Sequence, residues 1–396
     1  MRAFLILFIS LIRNIDLRNM HLNQFTKLAI SVLRHPVYTC NAIANERKSN
    51  TLSIEQCIRR GADWLLRSQR MATDGNGYSR RYSLMRGWDR CYIETTGYII
   101  PTLLDVSKLL NDQKYKSSAF LAAEWLLSVQ TAEGAFTDID AYRPQVFDTG
   151  QVLLGLNRMF RETGDERYLS SLRKAGRWLT DIQEDDGSWV CFAYNNRPHA
   201  YYSRVAAALI EAGQLSGIEE FVAAGTRNLE WVVAQQQSNG YFRYSEFKPG
   251  EDALLHTIVY VLEGFSMAFN STGDRLWSQK FITGTKILAE LANEDGLLYS
   301  QYDTAWRATN MEYCVTGLAQ FAGVCFDVAN ITGDADYHKR GGRIVNQLCN
   351  WQQNKGRDIQ GSLQSSVPLW GYYGGMEFYN WNEKFFLDAA MRLSKA

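Results

Sequence analysis

The sequence predicts an all-α protein, an (α/α)6 toroid in which six helical hairpins close into a ring. Three observations carry this expectation: a helix-ending motif that returns six times, a second apolar segment between successive copies, and no sustained strand-type alternation. With 46% apolar and 21% charged side chains, the 396 residues have ample material for the core such a ring needs.

Residues 1–49 read as an extension and 50–396 as the toroid domain. The chain begins "MRAFLILFISLIR", a basic start and an apolar run of signal length, too short to span a bilayer and followed by no small-x-small cleavage site. The next stretch, "NMHLNQFTKLAISVLRH", reads as an amphipathic helix. A cytoplasmic location with peripheral contact to a membrane fits this extension best, with export as the alternative.

The repeat is clearest in "EWLLSVQTAEGAF", "RWLTDIQEDDGSW" and "EWVVAQQQSNGYF". Their shared residues are Trp125/Gln130/Gly134, Trp178/Gln183/Gly187 and Trp231/Gln236/Gly240. An earlier copy keeps Trp64 and Gln69, and two degraded ones keep Gly296 and Gln352. Copies recur every 53–61 residues or so, too far apart for two-helix solenoid repeats of about 33–47 residues. Each marks the end of an outer helix, with glycine supplying the left-handed turn that stops it.

Between copies lie "TTGYIIPTLLDVSKLL", "DTGQVLLGLNRMF", "YSRVAAALIEAG", "HTIVYVLEGFSMAF", "VTGLAQFAGVCFDVA" and "WNEKFFLDAAMRL". Small residues along them suit inner helices packed around a common axis. Aligned, they place Thr96, Thr149, Ser203, Thr257, Thr316 and Asn382 as N-caps. Gly97, Gly150 and Gly317 then leave backbone N–H groups open to close approach. Six inner N-termini at one end converge their positive dipole ends on one funnel, the expected site.

Forty-two basic and forty-two acidic residues cancel, so no global field favours nucleic acid as a partner. Seven cysteines without CxxC spacing suit a reducing compartment better than a disulfide framework.

The Gln-x-x-x-Gly-(Trp/Phe) repeats resemble those of the squalene cyclase and protein prenyltransferase toroids over roughly residues 55–396. More closely, "ETTGYIIPTLLD", "QVFDTGQVLLGL", "HTIVYVLEG", "CVTGLAQ" and "NWNEKFFLDA" are similar to segments of VpsJ-type proteins associated with polysaccharide biosynthesis. That resemblance implies a glycan context and no particular reaction. Two activities of the wider superfamily do not transfer. Class II terpene cyclases use Asp-x-Asp-Asp-Thr, whereas "QVFDT" has Gln145 and Phe147 in place of the first two acids and keeps only Asp148. Prenyltransferases bind zinc through Asp, Cys and His. His256 matches the histidine, but "HAYYSRVAA" offers neither other ligand, so no zinc site is expected, and the cofactor is left unassigned.

The loops entering the inner helices are crowded with aromatic residues, as in "WGYYGGMEFYNW". Trp88, Trp306, Trp370 and Trp381, with Tyr98, Tyr313 and Tyr372, offer flat faces for sugar rings, and Asp89 and Glu383 offer polar edges. Glu94 and Asp148 occupy the same level in adjacent repeats, where two carboxyls about 5–10 Å apart would serve glycoside hydrolysis. Alternatively, Arg204 neutralises a uronate carboxylate while Tyr202, His256 or Tyr313 exchanges the adjacent proton. The expected function is acid–base modification or cleavage of a uronic-acid-containing polysaccharide or lipid-linked sugar during surface polysaccharide assembly. The alternative is a non-catalytic glycan-binding or scaffold subunit. Isoprenoid chemistry is least favoured, since no concentrated Lys/Arg run would hold a diphosphate.

Overall fold

The computed structural model of the protein describes residues 22–46 and 51–395; the signal-like run at 1–13 lies outside them. Two helices, α1 (Leu22–Arg34) and α2 (Pro36–Asn45), precede twelve that alternate between an outer and an inner layer. In chain order these are α3 (Ile54–Met71), α4 (Ile93–Leu110), α5 (Gln113–Val129), α6 (Val146–Thr163), α7 (Glu166–Asp181), α8 (Ser203–Ser216), α9 (Glu219–Ala234), α10 (Leu255–Thr272), α11 (Arg275–Glu290), α12 (Val315–Thr332), α13 (Ala335–Trp351) and α14 (Asn380–Ser394). The even-numbered helices from α4 form the inner ring. Each packs on the next, and α14 packs on α4, closing the circle.

The repeat glutamines stitch this ring. Gln130 Nε2 donates to the carbonyl of Gly134 in its own loop (2.9 Å) and of Ser171 on the next outer helix (3.0 Å). Gln183 does the same with Gly187 and Ala224, and Gln69 with Asn76 and Ser118. Gln352 reaches Gly361 and, across the seam, Cys57 on α3, both at 3.0 Å. The carbonyls these amides satisfy would otherwise be costly buried acceptors.

Inner helices end and outer helices begin by one short device. Gly164, Gly273 and Gly333 adopt left-handed φ of 66°, 72° and 74°, and the following Asp165, Asp274 and Asp334 cap the next helix by accepting from the backbone N–H of Arg167, Leu276 and Asp336. The inner helices start differently from the sequence expectation. Their N-caps are Tyr92, Gln145, Tyr202, Leu254, Cys314 and Tyr379, so the six residues read as caps lie one to four positions farther along. Thr96 and Thr149 instead accept from the backbone N–H of Tyr78 and Phe136, fastening the preceding loop to the inner helix. Nor is the backbone open at the adjacent glycines. A Cβ on Gly97 would lie 2.5 Å from Val152 Cα, and one on Gly155 2.5 Å from the Gly97 carbonyl oxygen. Glycine is required there because α4 and α6 touch.

The all-α expectation holds, and the described residues add seven strands of only two or three residues: β1 (Arg81–Ser83), β2 (Gly87–Trp88), β3 (Ala253–Leu254), β4 (Gln301–Tyr302), β5 (Tyr313–Cys314), β6 (Ser366–Val367) and β7 (Glu377–Tyr379). They are loop segments whose backbone groups find partners side by side. The β1–β7 pairing, Arg81 opposite Tyr379, seals repeat one to repeat six. Over this seam lie α1 and α2: Ser31 Oγ meets Met376, Arg34 donates to the Met85 carbonyl, and Asn45 donates to the Gln352 carbonyl.

Candidate functional site

Because the inner helices share one direction, their N-termini and the long aromatic loops surround one end of the ring axis. A cavity of about 430 Å³ opens there, lined by Glu94, Asp138, Asp148, His256 and Trp381 among others. Ten of its lining residues are Phe, Tyr or Trp, enough to keep the carboxyls in a poorly hydrated setting.

Glu94 and Asp148 both stand in the first turn of their helices, α4 and α6. Burial pushes the Glu94 carboxyl up to about 7, opposed by hydrogen bonds from Tyr92 and Tyr98 and by the Arg204 charge. Asp148 is 5% exposed, and burial, then the Glu94 and Asp138 charges, push it well above the usual carboxylate range. Its Oδ2 has no hydrogen-bond partner among the described residues. The pair thus differs in protonation: Asp148 keeps the proton, and Glu94, with its hydroxyl donors and nearby guanidinium, ionises first.

The floor is a chain of polar groups. Arg204, 3% exposed, pairs with Glu263, donates to Gln151 Oε1 at 3.0 Å and sits 4.7 Å from the Tyr260 ring centre. Gln320 Nε2 donates to Glu263 at 3.1 Å, which turns its Oε1 to His256 Nδ1 at 2.7 Å. Nδ1 therefore carries the hydrogen, and burial lowers the imidazole to about 4, leaving it neutral with Nε2 as an acceptor. Tyr98 lies in this floor, with its hydroxyl 3.4 Å from Glu94.

Of the residues expected to meet, the structure brings Glu94, Asp148, His256, Tyr98 and Trp381 to the cavity; Trp381 stacks on Tyr379 at 4.0 Å. The others are corrections. Arg204 belongs to a second cavity below the floor, its charge already matched by Glu263. Tyr202 is fully buried behind Phe147, its oxygen accepting from Tyr194 N–H at 2.8 Å. Trp88 packs on Trp64 and donates to Asp358, and Asp89 is held below the usual carboxylate range, against the cost of its burial, by the Arg90 backbone N–H and then Arg80. Trp306 donates to the Asn239 carbonyl, and Tyr313 stacks on Tyr299 while accepting from Asn293. Trp370 packs against the core and Tyr372 faces solvent, both outside the cavity. Glu383 is wholly buried, accepts from Leu363 N–H and is pushed well above the carboxylate range by burial. Trp88 and Tyr313 find ring partners on outer helices, Trp64 and Trp351.

Sequence reasoning missed Asp138, Arg143, Tyr92, Tyr201 and Tyr260, all cavity residues. Asp138 sits in "DIDAY", where it caps its own turn by accepting from Asp140 N–H at 2.8 Å. Tyr201 is one position from the residue chosen. The two stand in a 3-10 turn, Ala200–Tyr202, where neighbours point about 120° apart, so Tyr201 lines the cavity while Tyr202 turns away from it.

No protein-family model matches the chain. A 62-residue stretch is 39% identical to the squalene–hopene cyclase of Bradyrhizobium diazoefficiens, and a 57-residue stretch is 30% identical to a probable squalene–hopene cyclase of Sinorhizobium fredii. These stretches are 16% and 14% of this chain, and the chain spans only 9% of the length of either relative. Solved structures match almost throughout. The unsaturated glucuronyl hydrolase of Bacillus sp. GL1 superposes with a TM-score of 0.68 at 14% identity, covering 87% of this chain and 97% of its own. A heparin-specific unsaturated glucuronyl hydrolase gives 0.67 at 15%, covering 86% and 97%. A sugar epimerase from a ruminal bacterium gives 0.65 at 13%, covering 86% and 99%. At these identities the likeness establishes the fold: the chain is an (α/α)6 toroid.

Proposed function

We propose that the protein is a carbohydrate-active enzyme that cleaves or modifies a uronic-acid-containing oligosaccharide, free or lipid-linked, by acid–base chemistry in the upper cavity. The single observation that carries this is the Glu94–Asp148 pair, two buried carboxyls whose surroundings favour different protonation states. Asp148 donates its proton to the glycosidic oxygen as that bond breaks. Glu94 takes a proton from the attacking water, whose oxygen bonds to the anomeric carbon. Trp381 and the tyrosines give sugar faces a stacking surface. Arg143 lines the mouth without an ion pair among the described residues and suits a substrate carboxylate. Structural relatives named as glucuronyl hydrolases and a sugar epimerase support the substrate class. The setting in surface polysaccharide assembly rests on the resemblance of the five segments above.

The test is turnover of uronic-acid oligosaccharides, with carboxyl-reduced analogues as controls. Asp148→Asn is expected to lower kcat by about 10²–10⁴ while leaving Kd within a few-fold. Wild-type kcat should rise as pH passes about 7, where Glu94 ionises, and fall at higher pH once Asp148 does. Binding without turnover in the wild type would make the protein a glycan-binding module instead; neither binding nor turnover would remove the glycan reading.

A further inference from the structure

The extension carries apolar side chains that the ring leaves uncovered. On α1, Leu22 is 82% and Leu33 77% exposed, with Phe25 and Ile30 also at the surface. Leu28, Ser31 and Val32 on the opposite side are buried. One short helix thus has two apolar faces, one against the toroid rim and one toward solvent. A second exposed pair continues the outer face: Met311 at 71% and Tyr372 at 61%. Glu312 ties them to α1, accepting from Gln24 Nε2 at 3.0 Å and from Tyr372 N–H at 2.5 Å. Tyr373, the next residue, lines the upper cavity. The uncovered apolar surface therefore borders the cavity mouth.

Its chemistry points to one kind of partner. Contiguous apolar surface on a folded chain marks an interaction site, and an apolar helix face edged by basic residues is the pattern of an interfacial helix. Lys27 and Arg34 lie on α1, and the sequence leading into it runs "AFLILFISLI" at 3–12 between Arg2 and Arg13, then Arg18. Among the described helices α12 alone is long and apolar enough to cross a bilayer, and it is mostly buried in the inner ring. The described residues therefore offer a surface contact and no exposed span.

We propose that the outer face of α1, together with Met311 and Tyr372, docks on an anionic phospholipid bilayer and turns the cavity mouth toward the lipid headgroups. A group tethered to a lipid then meets the cavity without leaving the membrane surface. The docking stands whether or not the cavity's ligand is a sugar. The experiment is sedimentation of the full chain with vesicles of mixed phosphatidylcholine and phosphatidylglycerol. Wild type is expected in the pellet. The pairs Leu22→Asp/Leu33→Asp and Met311→Asp/Tyr372→Asp, on separate segments and at exposed positions, should each lower the bound fraction about tenfold with unchanged thermal melting. Wild type remaining in the supernatant would overturn the proposal, as would either pair binding like wild type. A wild-type dimer that the α1 pair converts to monomer would also overturn it, assigning the face to a second copy.

Discussion

The ring axis holds two cavities of similar size, about 430 Å³ where the inner helices begin and about 400 Å³ where they end, with Tyr98 bordering both. Their charge arrangements are opposite. In the lower one each acid has a basic partner: Asp105 with Arg158 at 2.6 Å, Glu211 with Arg161 at 3.0 Å, Asp327 with Arg392 at 3.0 Å, Asp388 with Lys384 at 2.6 Å, and Glu263 with Arg204. Cations near helix C-termini are also favoured by the helix dipoles. In the upper one Glu94 and Asp148 face each other and aromatic rings, with no cation paired to either among the described residues. Matched charges fasten the helices, whereas unmatched carboxyls hold protons that a reaction can use.

The largest effect on this contrast is expected from Glu263→Gln. It strands the Arg204 guanidinium in the floor and should lower unfolding free energy by about 3 kcal/mol in denaturant titration. A loss of turnover with unchanged stability would show that the lower network belongs to the chemistry and would break the comparison. Asp148→Asn tests the upper side through stability. The folded carboxyl titrates above its unfolded value, so the native state binds the extra proton, and stability is lost as pH rises through the folded pKa. The variant should therefore melt on the order of 3 °C above wild type at pH 8 and match it near pH 4. Equal melting at both pH values would mean that the acid is not protonated in the fold. The smallest change is expected from Arg161→Ala, whose ion pair with Glu211 is half exposed: less than about 0.5 kcal/mol by the same titration.

Ring closure was legible because the repeat glutamine returns at the seam: Gln69, Gln130, Gln183 and Gln352 each bond their own loop and the next outer helix. The funnel and the Glu94–Asp148 pair followed from aligning inner helices, since residues at one level of a repeat share an environment. Another signal was present and overlooked. Thr163-Gly164-Asp165, Thr272-Gly273-Asp274 and Thr332-Gly333-Asp334 each end an inner helix and cap the next, so Thr-Gly occurs at both ends of inner helices. Aromatic loop residues were not legible one by one. Trp88, Trp306 and Tyr313 have the composition of a binding surface, but their polar atoms pair with Asp358, Asn239 and Asn293, in loops that follow outer helices. Arg204 was misread because its own counter-ion, Glu263, comes from another repeat, and sequence does not pair charges 59 positions apart.

The Gln352–Cys57 stitch carries one more implication. The seam carries the same glutamine bond as the three junctions from α3 to α9, and α14 lies against α3 as each inner helix lies against the outer helix that follows it. A permuted chain, joined from Ser394 to Ile54 and cut at another turn, is expected to keep the Gln352–Cys57 bond while losing the contact of Asn45 with the Gln352 carbonyl.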